Sequence, residues 1–210
     1  MEKLTYKKTK ELNKVAKPYP QPRIYSTKEW GARPVSEQFE TTKIEKSVFH
    51  HMDWPNRPLI ADHQKAVEHA FTVFRNCQAD HMDNNGWSDT GQNYTITREG
   101  IVGEGRHGSI AATNAGVNVV GAQCEGFNSR SAGTEHEGAY DDVDLPEAQW
   151  KAAVVLQAWI LDRNGLSSTD LDGHRDHCST DCPGKLFYSK KALFQEEVHK
   201  ELTKWRASNP

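Results

Sequence analysis

The sequence has no long hydrophobic run, little cysteine and no strong excess of charge of one sign. Its longest aliphatic stretch, residues 152–156, is far shorter than the roughly 20 residues of a membrane-spanning helix, so we expect no membrane insertion. Four cysteines in 210 residues are too few for a disulfide-built scaffold. The 26 basic and 29 acidic side chains give a net charge of −3, which argues against a nucleic-acid partner. The first 30 residues contain no apolar core of the kind that a secretory signal needs.

The sequence does have ten histidines and an uneven distribution of charge. Residues 1–23 carry seven basic and two acidic side chains, and prolines at positions 18, 20 and 22 prevent a helix there. We interpret residues 1–23 as a basic, proline-containing arm and residues 24–210 as one domain. The arm is either a solvated tail or a segment that is attracted to an anionic polymer such as a bacterial wall.

Periodic apolar residues predict three helices, over residues 60–82, 145–164 and 190–205. Short extended segments lie between them at 47–51, 93–97, 101–104, 117–122 and 132–138, and the second and third of these form a predicted hairpin. Strands interleaved with helices predict an α/β fold, with a central sheet flanked by helices.

Histidine and cysteine are concentrated at two distant places. A short apolar strand ends in His50 and His51, and residues 172–184 hold two histidines, two cysteines and three acidic groups. Imidazole and thiolate are preferred ligands of Zn²⁺, and a catalytic zinc keeps three protein ligands and one open position. His50, His174 and Cys182 would supply such a set. Spacing alone leaves open that Cys178 and Cys182 form a disulfide or are two inert thiols.

Five motifs, in order along residues 25–187, resemble a known family. They are residues 29–34 (EWGARP), 49–51 (FHH), 86–106 (GWSDTGQNY through GEGR), 126–135 (GFNS through GTE) and 173–184 (GHR through TDCPG). Together they are similar to the zinc-dependent N-acetylmuramoyl-L-alanine amidases related to peptidoglycan recognition proteins. The resemblance implies a mixed central β-sheet of that family's type.

The resemblance also assigns the site residues. It implies that His50, His174 and Cys182 bind Zn²⁺, with His51 as a neighbour. Glu135 becomes the candidate general base, although Glu137 shares its face of the strand because side chains two apart point the same way.

Two further residues take candidate roles from the family. Thr180 matches a position near the oxyanion. Gln92 stands where many active members carry tyrosine; an amide cannot transfer a proton as tyrosine does, but it can donate a hydrogen bond.

The implied reaction is hydrolysis of the amide between N-acetylmuramic acid and L-alanine, with peptidoglycan as the partner. The absence of a secretory signal favours a bacteriolytic phage endolysin, which stays in the host bacterial cytoplasm until release and then acts on the cell wall. A bacterial enzyme that recycles the wall is the other possibility within this class of amidases. The alternative, which Gln92 favours, is a module that recognises muropeptide without cutting it. A purely structural zinc site would need a fourth ligand such as His177 or Cys178. The sequence does not settle whether Cys77 and Cys124 meet.

Overall fold

Five strands form the central sheet of the protein, in a computed structural model that describes residues 17–35 and 37–209. In chain order, the seven strands of the described residues are β1 (Thr41–Thr42), β2 (Lys46–His51), β3 (Tyr94–Ile96), β4 (Val102–Glu104), β5 (Asn118–Val119), β6 (Ser131–His136) and β7 (Leu171–Gly173), of which β1 and β5 lie outside the central sheet. The central order is β4-β3-β6-β2-β7, in which only β4 is antiparallel to its neighbour. The predicted mixed sheet and the β3–β4 hairpin are therefore confirmed.

Three strands differ from the prediction. The segment 117–122 was expected as one strand, but only β5 forms, and it pairs with β1 in a separate two-stranded sheet. The edge strand β7 and the short strand β1 are not predicted from the sequence.

Six α-helices surround the sheets in the described part of the chain. They are α1 (Thr27–Trp30), α2 (His63–Ala79), α3 (Ser109–Asn114), α4 (Glu147–Arg163), α5 (Lys185–Ser189) and α6 (Lys191–Ser208). The three predicted helices correspond to α2, α4 and α6. Helix α2 begins at an Asp62 cap, whose side chain accepts from the Lys65 amide, and ends in a π-helical turn, Asp80–Asn84. Within residues 17–35 and 37–209, none of the helices has both the length and the apolar character that a membrane crossing requires.

The central sheet is covered on both faces. Helix α4 packs on one face, where the Trp159 and Tyr94 rings lie 5.7 Å apart, and α6 packs against α4. Helix α2 covers the other face, where the Phe74 ring lies so close to Gly103 that a Cβ there would be 2.5 Å away. Because successive strand residues point to opposite faces, Phe49 joins the core on the α4 side while His50 points towards the α2 side.

The domain begins earlier than the sequence indicates. Tyr19 is only 4% exposed and belongs to the main core; its amide donates to Asp162 Oδ2 at 2.7 Å, and its hydroxyl donates to Glu201 Oε1 at 2.7 Å. The predicted boundary between residues 23 and 24 is therefore wrong by at least five residues. A single aromatic residue between prolines has no periodic pattern that would reveal this packing. Residues 1–16 of the predicted arm lie outside the described residues.

Candidate metal centre and catalytic site

The ends of two neighbouring parallel strands bring the predicted ligands together. His50 is the fifth residue of β2 and is 2% exposed. Strand β7 pairs in parallel with β2, and His174 follows its last residue directly. Cys182 lies in the loop between this point and α5, close enough to β2 for its Sγ to be 3.8 Å from the carbonyl oxygen of His51. The fold therefore gathers residues that are up to 132 positions apart.

The three donor atoms of this cluster lie within 4.8 Å of one another. Cys182 Sγ is 3.6 Å from His50 Nδ1, and the two imidazole rings have centroids 4.3 Å apart. Nitrogen and sulfur ligands of one tetrahedral Zn²⁺ ion, at its usual bond lengths, are roughly 3.6 Å apart. The residues therefore fit a zinc ion held by His50, His174 and Cys182.

The electrostatics of the cluster suit metal binding by the two histidines. Burial, and to a smaller extent the positive charge that the neighbouring His174 can carry, holds the pKa of His50 well below its ordinary value. Burial, followed by His177, also lowers the pKa of His174. Both imidazoles are therefore neutral at physiological pH, the form that binds metal. Burial raises the pKa of the Cys182 thiol to about 12, so metal binding would have to displace its proton.

Gln123 holds the first ligand in place and was not found from the sequence. Its Oε1 is 2.5 Å from His50 Nε2, and its Nε2 donates to Ser131 Oγ at 2.7 Å. Since an amide oxygen only accepts, His50 Nε2 must carry the proton, and its Nδ1 lone pair is left on the side of Cys182. A partner of this kind fixes the tautomer and the ring orientation of a metal ligand. Gln123 lies in a loop whose sequence gives no signal of this contact.

Glu135 stands beside His50 on the neighbouring strand. The two residues are paired in the parallel register of β2 and β6, so their side chains emerge on the same face. Glu135 is 8% exposed, and Cys77 Sγ donates to its Oε2 at 3.4 Å. Burial, with a smaller contribution from Asp80, raises the pKa of Glu135 to about 7. Among the described residues, no lysine or arginine forms an ion pair with it. Its carboxyl group is therefore free to exchange a proton near neutral pH.

Glu137, the alternative base, is engaged elsewhere. The Arg57 Nε donates to Glu137 Oε1 at 2.8 Å, and the backbone amide of Arg98 donates to Oε2 at 3.0 Å. Arg57 also pairs with Glu99 at 2.6 Å, so Glu137 belongs to a partly buried ion-pair network. This arrangement favours Glu135 over Glu137 as the candidate base.

Gln92 and Thr180, the two other candidate residues, contact different parts of the site. Gln92, just before β3, is 5% exposed, and its side chain fills the space above Gly133, two residues before Glu135. Its Oε1 is buried and has no hydrogen-bond partner among the described residues. Thr180 Oγ1 accepts from the Cys182 amide at 3.2 Å, so its hydroxyl proton is free for another acceptor. The structure thus places Thr180 beside a candidate ligand and Gln92 over β6.

The two residues considered as a fourth metal ligand do not belong to the group of His50, His174 and Cys182, and their side chains have other partners. The His177 ring stacks on Phe127 with centroids 4.1 Å apart, and its Nε2 is 3.2 Å from Asp172 Oδ2. Cys178 Sγ lies 2.9 Å from Cys124 Sγ. Within the described residues, the group of His50, His174 and Cys182 therefore has three ligands, as an open site requires.

Comparisons with known proteins place this geometry in a family. The model of the N-acetylmuramoyl-L-alanine amidase family matches residues 40–185. Peptidoglycan-recognition protein SC2 of Drosophila simulans is 34% identical over 169 residues, covering 80% of this chain and 83% of that protein. The N-acetylmuramoyl-L-alanine amidase of Sus scrofa is 31% identical over 173 residues, covering 80% of this chain but 26% of that protein.

A solved structure shows the same relationship. The ectodomain complex of peptidoglycan recognition proteins LCa and LCx, with bound tracheal cytotoxin, contains a chain with a TM-score of 0.66 and 26% identity. The match covers 79% of this chain and 92% of that chain. The family match spans more than half of the sequence and includes both the strand that ends in His50 and the loop that carries Cys182. The chain therefore belongs to the N-acetylmuramoyl-L-alanine amidase family, which is related to the peptidoglycan recognition proteins.

Proposed function

We propose that the protein is a zinc-dependent N-acetylmuramoyl-L-alanine amidase, which hydrolyses the amide between N-acetylmuramic acid and the first L-alanine of the peptidoglycan stem peptide. The observation that carries this proposal is the combination of three metal-ligand side chains with a buried, proton-exchanging carboxyl group beside them. A recognition module needs neither feature to bind its ligand. The bound tracheal cytotoxin of the solved relatives, a monomeric diaminopimelic acid-type peptidoglycan, supports peptidoglycan as the partner.

The residues have complementary tasks in such a reaction. A zinc ion held by His50, His174 and Cys182 would supply Lewis-acid polarisation of the scissile carbonyl and a lower pKa for water. Glu135 accepts a proton from the attacking water and delivers it to the departing alanine nitrogen, a task that suits a buried carboxyl group beside His50.

Two further side chains can stabilise the charge that develops on the carbonyl oxygen. The Thr180 hydroxyl, whose oxygen accepts from the Cys182 amide, and the side-chain amide of Gln92 can each donate a hydrogen bond to that oxygen. Gln123 keeps the His50 ring oriented while the charge changes.

A recognition module is the second candidate function. Two observations favour it: Gln92 occupies a position where many active members carry a tyrosine, and several similar proteins are named peptidoglycan-recognition proteins. Such a module would bind the same polymer and leave the amide intact. Bond cleavage therefore separates the two functions, whereas zinc content does not.

Digestion of purified peptidoglycan tests the proposal. We expect the zinc-loaded protein to release stem peptides that begin with L-alanine, detected by mass spectrometry, and we expect a chelator or Cys182→Ala to abolish the release. Cys178→Ala is the matched control, because Cys178 lies outside the three-ligand group, and it should retain the activity. If the wall captures the metal-loaded protein but no amide is cut, the protein is a recognition module and the proposal is wrong.

The biological setting stays a prediction. We propose action as a bacteriolytic phage endolysin, with the host bacterial cytoplasm as its location before release. Lysis of bacteria from outside by the added protein, scored by loss of turbidity, would be consistent with a bacteriolytic role.

A further inference from the structure

Two cysteines outside the candidate metal centre lie against each other. Cys124 Sγ and Cys178 Sγ are 2.9 Å apart, closer than the contact distance of two sulfur atoms that are not bonded. Cys124 is 1% exposed, whereas Cys178 is half-buried. Both are free thiols in this structure. Neither has a task in the proposed amide hydrolysis.

The backbone on both sides of the pair is held in place by hydrogen bonds. Asn128 Oδ1 accepts from the amides of Gln123 and Cys124, at 2.7 and 2.8 Å. On the other side, the Cys178 amide donates to the carbonyl oxygen of His174 at 3.1 Å. The sulfur atoms therefore meet because two anchored loops meet, one next to the partner of His50 and the other next to a candidate metal ligand.

The short separation distinguishes a disulfide from a second metal site. Cys124, Cys178 and His174 also offer three donor atoms within 4.8 Å of one another. Two thiolates bound to one zinc ion at about 2.3 Å would be roughly 3.8 Å apart. The observed 2.9 Å is shorter than that distance, and a disulfide bond of about 2.05 Å needs only a small further approach.

We propose that Cys124 and Cys178 form a disulfide bond that ties the Gln123 loop to the His174 loop. With a disulfide oxidant such as oxidised glutathione, the more exposed Cys178 attacks first and forms a mixed disulfide, releasing one glutathione thiol. Cys124 then attacks the Cys178 sulfur and releases the second glutathione. Two cysteine S–H bonds and the S–S bond of the oxidant are broken, and one protein S–S bond and two glutathione S–H bonds form. The chain loses two protons and two electrons, which end on the two glutathione thiols.

The crosslink has a structural consequence for the metal centre. It closes a loop between residues 54 positions apart, which restricts the unfolded chain. It also converts two thiols, which compete for the metal that His174 binds, into sulfur atoms that are poor ligands. The oxidised chain should therefore unfold at a temperature about 5–15 °C higher than the reduced chain.

Peptide mapping tests the proposal on the full chain. The protein, with zinc added, is incubated with oxidised glutathione, then denatured, alkylated, digested and analysed by mass spectrometry. We expect one crosslinked peptide pair joining positions 124 and 178, which dithiothreitol separates, together with the rise in unfolding temperature. Cys77→Ser should leave both results unchanged, because Cys77 lies on α2 against Glu135; Cys178→Ser should abolish both.

Three results would overturn the proposal. The first is separate alkylation of both cysteines after oxidation, and the second is a stable glutathione adduct on Cys178 that Cys124 does not resolve. The third is a crosslink that leaves the unfolding temperature unchanged, since it would not be holding the two loops together. None of these readouts depends on peptidoglycan cleavage, so a failure here is distinct from a failure of the proposed function.

Discussion

Replacing Gln123 by methionine should weaken zinc binding without removing any of the three ligands. Gln123 Oε1 accepts the proton of His50 Nε2 over 2.5 Å, and methionine has a similar volume but only a weak acceptor. In Gln123→Met the His50 ring loses the contact that fixes its tautomer and its rotation. A larger share of the free protein then presents the wrong nitrogen or the wrong ring angle to the metal.

The magnitude follows from the kind of contact that is lost. Removal of a partner that orients a metal-ligating histidine costs about 10- to 100-fold in metal affinity, or roughly 1.4–2.7 kcal/mol. The free energy of unfolding of the metal-free Gln123→Met protein should fall by only about 1 kcal/mol, because Ser131 Oγ, the other partner of Gln123, keeps its hydrogen bond to the Phe127 carbonyl oxygen. The loss should therefore be larger in zinc affinity than in the stability of the metal-free protein.

The assay is a competition for zinc with a chromogenic chelator, accompanied by thermal unfolding of the metal-free protein. Gln157→Met is the matched control: Gln157 is buried like Gln123 and donates one side-chain hydrogen bond, to Thr134 Oγ1, but on the α4 face of the sheet. We expect the control to destabilise the fold to a similar extent and to bind zinc as the unmodified protein does. Equal zinc affinities of the two variants would refute the role assigned to Gln123.

Three other predictions concern stability. In the metal-free protein, Glu135→Gln should stabilise the fold by up to about 3 kcal/mol at pH 8 and little at pH 5, measured by denaturant unfolding. The reason is that burial raises the folded pKa from 4.5 to about 7, so stability is lost as the pH rises through this range and the buried carboxyl group ionises; a pH-independent difference would contradict this. Arg57→Ala should lower the free energy of unfolding by about 3 kcal/mol, because it leaves two carboxylates, whose side chains are only 7–8% exposed, without their cation. Arg23→Ala, at an exposed ion pair, should lower it by less than about 1 kcal/mol. Similar losses in the two variants would show that the buried network adds nothing to stability. Tyr19→Ala should lower the free energy of unfolding by about 3–4 kcal/mol, and Tyr19→Phe should lower it by about 1 kcal/mol. An unchanged midpoint of denaturant unfolding in Tyr19→Ala would show that residue 19 does not belong to the core.

The sequence predicts the elements that carry a strong local pattern. Helices α2, α4 and α6 have periodic apolar residues, and the β3–β4 hairpin has a glycine with a positive φ at its turn, Gly100. Strand β7 escapes prediction because it has only three residues, Leu171–Gly173, and two of them are an aspartate and a glycine. Its place beside β2 comes from tertiary pairing, which no local pattern records.

In the candidate site, too, the sequence predicts the residues that a motif marks and misses what depends on tertiary contacts. His50, His174 and Cys182 stand out by residue type and by motif, and the structure brings them together as expected. The choice between Glu135 and Glu137 could not be made from a strand period of two, because it depends on Arg57, which is 80 residues from Glu137 in the sequence.

Contacts between loops are equally invisible in the sequence. Gln123 meets His50 across 73 positions, with no pattern that would announce it. The question of a Cys77–Cys124 contact is also answered only by the fold: Cys77 lies against Glu135, whereas Cys124 lies against Cys178.

The most direct test of the account is the rate at which zinc-loaded variants release an L-alanyl peptide from a soluble N-acetylmuramoyl peptide, followed by liquid chromatography and mass spectrometry. Glu135→Gln should bind zinc normally and lose at least about 100-fold in rate, because it removes the proton-accepting group. Glu137→Gln, at the residue that directly follows β6 and is tied to Arg57, should retain most of the rate at a temperature where it is folded. If the unmodified protein releases the peptide and Glu135→Gln releases it within tenfold of that rate, Glu135 is not the base and the central claim is wrong.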